Sequence, residues 1–133
     1  MKDWIFEQFA YEQAQQLKLL KMDASEYQGI IRKTAIFPKE IGLTYCTLGL
    51  CGEAGEVAEK VKKLYRDAGG VITPEFVYNV KKELGDVLWY TTAIANELGL
   101  TLEEIMEANY EKLTKRRETG TLHGSGDNRE EGN

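Results

Sequence analysis

The chain has 133 residues, a length that points to one domain with a core of its own. Seventeen Lys+Arg against 22 Asp+Glu leave a net charge of -5, the wrong sign for a general nucleic-acid binder. A single histidine, His123, excludes sites built from two imidazoles, such as His-rich zinc centres and paired Glu-x-x-His di-iron centres, and leaves carboxylates as the candidate workers.

The hydrophobic pattern is helical almost throughout, with no internal repeat and no strand alternation, and predicts an all-α bundle of about five helices. A first helix runs from about Asp3, its cap, to Leu20. A second covers about Ser25 to Ile36. The third extends from about Glu40 to Asp67 and ends at Gly69-Gly70. The fourth spans about Pro74 to Leu98 and stops at Gly99, and the fifth opens on the Thr101-x-x-Glu104 capping box and runs to about Glu118. This describes a single domain over residues 1–118, with 1–22 as an extra N-terminal helix and 119–133 as a flexible Gly-rich tail. Cys46 and Cys51 form no C-x-x-C and read as small packing residues in a reducing cytosol. There is no basic segment followed by an apolar run, and no apolar run near the ~20 residues that span a bilayer. The expectation is a soluble, cytoplasmic protein that binds neither membrane nor nucleic acid.

The third helix carries Glu53 and Glu56, and the fourth carries Glu83 and Asp86. Three residues turn a helix by about 300°, so the members of each pair lie within roughly 60° of one face. Both pairs border apolar stripes: Leu43, Cys46, Leu50, Ala54, Val57, Val61 and Leu64 on the third helix, and Val77, Val80, Leu84, Val87, Leu88, Thr91, Ala95 and Leu98 on the fourth. Antiparallel packing of the two helices would bring four carboxylates to one seam. Two like charges ~4 Å apart repel by about 4 kcal/mol at an effective dielectric near 20, so such a seam must take up protons or cations. Oxygen ligands without histidine favour Mg²⁺, with Mn²⁺ as a substitute. Gly49, Gly52, Gly55 and Gly85, each unfavourable inside a helix by about 1 kcal/mol, suggest close approach of helices or ligand there.

Lys60 and Lys63 follow the acids of the third helix and could neutralise them, touch phosphate, or form ordinary surface pairs. On the fifth helix Asn109 interrupts the stripe of Leu102, Ile105, Met106 and Leu113, and with Lys112 and Arg116 it offers a phosphate-binding edge. Trp4 and Trp89 read as packing residues. The tail reads as solvated, or alternatively as a segment that folds over a bound ligand; His123 within it has no evident partner. Thin helices with this much apolar surface are expected to pair as a homodimer or tetramer.

The runs Leu48-Gly49-Leu50-Cys51-Gly52-Glu53-Ala54-Gly55-Glu56-Val57 and Glu83-Leu84-Gly85-Asp86-Val87-Leu88-Trp89-Tyr90 resemble the MazG family of all-α nucleoside triphosphate pyrophosphohydrolases, most closely its compact phage-type members. The resemblance extends to Tyr27-Gln28, Thr34-Ala35, Asn109, Lys112 and residues Gly124 to Arg129, leaving the first helix outside. It implies Mg²⁺-dependent hydrolysis of a nucleoside triphosphate to the monophosphate and pyrophosphate. It implies Glu53, Glu56, Glu83 and Asp86 as metal ligands and catalytic groups, and Tyr90 near the nucleotide. A non-catalytic regulatory module that binds nucleotide or metal is the alternative.

Overall fold

The computed structural model describes residues 3–20 and 22–131; the side chains of residues 3, 4 and 17–20, and with them the expected Asp3 cap and Trp4 packing, lie outside that description. Five α-helices follow one another: α1 (Asp3–Leu20), α2 (Ala24–Thr34), α3 (Gly42–Ala68), α4 (Pro74–Glu97) and α5 (Leu102–Glu118), with short 3₁₀ turns at Lys39–Ile41 and Arg129–Glu131. No strand occurs among the described residues. The all-α expectation holds.

Local chemistry sets most of the boundaries. Thr101 and Glu104 close the expected capping box, with the Glu104 amide donating to the Thr101 hydroxyl at 3.1 Å and the Thr101 amide to the Glu104 carboxylate at 2.7 Å. A second such box, Asp23-x-x-Glu26, starts α2 earlier than the expected Ser25: the Glu26 amide donates to Asp23 at 2.8 Å. α3 starts later than Glu40 because the chain first makes the 3₁₀ turn after Pro38, and Ile41 leaves helical geometry. It ends at Gly69 and Gly70, both with positive φ, where both amides return to the Leu64 carbonyl. Thr73 then caps α4, with Pro74 in its first turn.

α3 and α4 form an antiparallel hairpin, as the meeting of Gly42 with Glu97, Gly49 with Tyr90 and Lys60 with Glu83 requires. α2 lies across α4, and α5 packs on α2. Gln28, only 2% exposed, joins these elements: its amide nitrogen donates to Asn96 (2.7 Å) and to the Leu100 carbonyl (2.8 Å), and its oxygen accepts from the Leu102 amide (3.0 Å). A buried amide with every partner in place fixes the angle between helices more sharply than apolar contact does. α1 attaches at the side of α4, where the Lys81 ammonium donates to Gln13 at 2.8 Å and lies over the Phe9 ring.

The fully buried core is small: Ile31, Cys46 and Ala93, with Tyr27, Phe37, Trp89, Tyr90 and Ile94 packed around them. The expected stripes are therefore only partly internal. Cys46, Leu64 and Ala95 are buried, whereas Leu43, Ala54, Val61, Leu84, Leu88 and Leu98 face outward. Among the described residues, nothing covers these outward-facing positions of the two stripes. Cys51, expected inside, is exposed.

Candidate metal centre and adjoining cleft

The antiparallel register brings Glu53 of α3 to Glu83 and Asp86 of α4, with one carboxylate oxygen from each lying within 4.8 Å of the others. Glu56 is exposed and falls outside this trio, although its charge still reaches Glu53. Three of the four expected acids thus converge. Burial, then the charges of Asp86, Glu83 and Glu56, hold the Glu53 carboxyl above its ordinary value. Among the described residues one cation answers the group: the Lys60 ammonium lies 3.0 Å from Glu83. Lys63 turns away and pairs with Glu59 at 3.3 Å. The oxygen-only donor set, with a single lysine against three carboxylates, fits a hard divalent cation.

Next to the acids lies a cleft of about 320 Å³. Glu53 and Asp86 form one end, and Phe37, Tyr45, Trp89 and Tyr90 form aromatic walls, with Thr34 and Ile36 at the rim. Phe37 stacks on Tyr45 at 5.4 Å between centroids and meets Trp89 edge-on at 6.4 Å. Trp89 meets Tyr90 edge-on at 5.0 Å. The Trp89 indole N–H donates to the Thr34 hydroxyl at 2.9 Å, which fixes the ring in the wall. Burial, with Tyr45 and Glu53 alongside, raises the Tyr90 hydroxyl, and burial with the charge of Asp86 raises that of Tyr27 on α2.

Of the four glycines expected to permit close approach, Gly49 alone does so: a methyl group there would overlap the Tyr90 ring. Gly52, Gly55 and Gly85 have open space beside them. Trp89, expected only to pack, also walls the cleft. Phe37 and Tyr45 were missed: Phe37 lies in the irregular link before Pro38, and Tyr45 stands on α3 between the stripe residues Leu43 and Cys46; neither is marked by the helical period, and only folding brings both to the α4 wall.

The fifth helix departs most from expectation. Asn109 and Lys112 are exposed, and neither lines the cleft nor joins the carboxylates. Arg116, expected to meet phosphate, is 8% exposed and already occupied: Nε donates to Glu130 at 2.8 Å and a terminal nitrogen to the Asp127 carbonyl at 2.8 Å. The tail expected to be flexible is held by this pair and by Arg129, whose guanidinium donates to the carbonyls of Thr121, Gly126 and Leu122. Its glycines Gly120, Gly124 and Gly126 take positive φ, which makes the return possible. His123 is exposed.

Among the described residues, no helix is long and apolar enough to cross a membrane. In comparisons with known proteins, the family described as MazG nucleotide pyrophosphohydrolase domain matches residues 43–121. The chain is 46% identical over 114 residues to "Gene 37 protein" of Mycobacterium phage L5, an alignment covering 81% of this chain and 100% of that protein. No solved structure matches significantly.

Proposed function

The chain belongs to the MazG nucleotide pyrophosphohydrolase family, and on that premise we propose that it hydrolyses nucleoside triphosphates to monophosphate and pyrophosphate with Mg²⁺. The observation that carries this reading is the meeting of Glu53, Glu83 and Asp86 at the mouth of an aromatic-walled cleft. A divalent cation needs the first, and a planar base next to a polyphosphate needs the two together.

Glu53, Glu83 and Asp86 would hold the ion, with Glu56 as an outer acid. When bound, Mg²⁺ supplies charge neutralisation for the triphosphate and a more acidic water. The protein's own groups do the rest. Water attacks the α-phosphorus, a carboxylate of the acidic group takes its proton, and the bond to the bridging oxygen breaks to release pyrophosphate. Lys60, freed from Glu83, would meet a phosphate oxygen. Phe37, Tyr45, Trp89 and Tyr90 would take the base by stacking, with the Tyr90 hydroxyl close to the acids.

The exposed apolar flanks, including Leu48 at 68% and Leu84 at 51%, are what a homodimer or tetramer would bury. A second copy would also be the route by which Asn109 and Lys112 reach phosphate, since within one chain they stand apart from the acids. Light scattering at micromolar concentration tests this, and a monomer would count against it.

Pyrophosphate release measured over a panel of ribo- and deoxyribonucleoside triphosphates, with and without Mg²⁺, decides the function. Turnover that depends on Mg²⁺ and disappears in Glu53→Gln and Asp86→Asn is the expected result. Nucleotide binding without turnover would instead indicate a regulatory module.

A further inference from the structure

A second cavity, of about 310 Å³, lies behind the first, between the C-terminal end of α2, the link to α3 and the last turns of α4. Phe37 lines both spaces and is the wall they share. The chemistry of the second space differs from that of the first. Arg32 and Lys39 stand at its rim, and neither forms an ion pair among the described residues. Asn96 also lines it, and because its amide oxygen already accepts from Gln28, its amino group is what it has left to offer a ligand. Glu97 is the one acid among the lining residues, and its carboxylate lies against Gly42 at the start of α3. Phe37 and Ala93 supply an apolar surface.

Two unpaired cations beside an apolar ring wall, with an amide donor and a carboxylate acceptor adjacent, match a planar heterocycle that carries one phosphate. We propose that this cavity is a separate binding site for a nucleoside monophosphate, and that its occupant acts on the first cleft through Phe37. Arg32 and Lys39 take the phosphate, Phe37 takes one side of the base, and Asn96 with Glu97 read its polar edge. A ligand there sets the position of Phe37, and therefore of Tyr45 stacked on it. The reading of the first cleft as a triphosphate pyrophosphohydrolase enters only in naming the source of the ligand: it is that reaction's product.

The test is calorimetric titration of the full chain with AMP and with UMP, in EDTA without added metal, beside titrations with inorganic phosphate and with adenosine. At least one monophosphate is expected to bind. Its affinity should be unchanged by Asp86→Asn and weakened about tenfold or more by the double substitution R32Q/K39Q, the scale of a lost charge-assisted contact. Equal affinity in R32Q/K39Q and the parent overturns the proposal, and so does the absence of monophosphate binding. Phosphate alone binding as tightly as AMP reduces the site to an anion hole and overturns the nucleotide assignment. In steady-state assays with Mg²⁺, the monophosphate should lower kcat in the parent, and R32Q/K39Q should keep the basal kcat and lose that inhibition. Purely competitive inhibition in the parent overturns the coupling through Phe37. The two readings fail separately. Absence of turnover with metal-free binding that depends on Arg32 and Lys39 removes the hydrolase and keeps the site. Turnover without such binding does the reverse.

Discussion

The acidic seam between α3 and α4 and the Arg116 end of α5 place charge in opposite ways. At the seam, Glu53, Glu83 and Asp86 are brought together with, among the described residues, only Lys60 to oppose them, and burial plus repulsion raises the proton affinity of Glu53. At α5, Arg116 meets Glu130 and the Asp127 carbonyl, and this pairing holds the Glu130 carboxyl below its usual value. Frustrated charge is available for a ligand; satisfied charge holds the chain to itself. Sequence spacing assigned both regions to ligand binding, and pairing separates them.

The largest expected effect breaks the comparison at the seam. Glu53→Gln or Asp86→Asn should reduce pyrophosphate release about a hundredfold or more, since each removes a proposed metal ligand. Thermal unfolding of the metal-free protein should be unchanged or shifted upward, because repulsion is relieved. A parallel loss of fold and activity would mean that the acids hold structure rather than ligand. At the other end, Arg116→Ala should leave the acids intact but release the tail. Limited proteolysis is expected to cut between residues 119 and 131 at least about tenfold faster than in the parent. An unchanged cleavage rate would show that Arg116 is not the anchor.

The two regions should also respond to pH with opposite sign. Glu53 has a folded pKa above its unfolded value, so its favourable contribution is complete below the ordinary glutamate range and is lost as pH rises through the folded value. Glu130 has a depressed folded pKa, so its contribution is present above the ordinary range and is lost as pH falls through the folded value. Acidifying metal-free protein from neutrality should therefore stabilise the seam first, as Glu53 takes up its proton, and loosen the tail later. Hydrogen exchange followed against pH, with Glu53→Gln and Glu130→Gln as controls, reads both. Each variant should flatten one response only.

A smaller effect separates the glycines. Gly49→Ala should displace Tyr90 and raise KM for a nucleoside triphosphate, because the added methyl meets the ring. Gly85→Ala, with open space beside it, should raise stability by about 0.5–1 kcal/mol through helix propensity alone. Denaturant titration of the two variants checks the contrast.

Much of this was legible in the residues. The Gly69-Gly70 stop, the Thr101 box and the apolar period set the helices with little error, because capping and period are local. The Asp23 box was equally local but lay two residues before the expected start of α2, in front of a weak apolar stripe. The pairing of Glu53 with Glu83 and Asp86 followed from spacing plus a short hairpin connection. The placement of Glu56 outside the trio did not, since a three-residue step leaves each acid free to fall on either border of the helix contact. Arg116 could not be read as an anchor, because Glu130 is fourteen residues away across a glycine-rich turn whose path no helical period predicts.

One histidine and an excess of acids by themselves directed the chemistry to carboxylates, and the order of the two acidic motifs on consecutive helices determined which ones. That much is covalent and local. The tertiary structure alone decided which charges remain uncompensated, which aromatic rings stand beside them, and how much of each apolar stripe stays uncovered. Those properties depend on what lies across a contact, and a contact between distant parts of the chain exists only once the chain has folded.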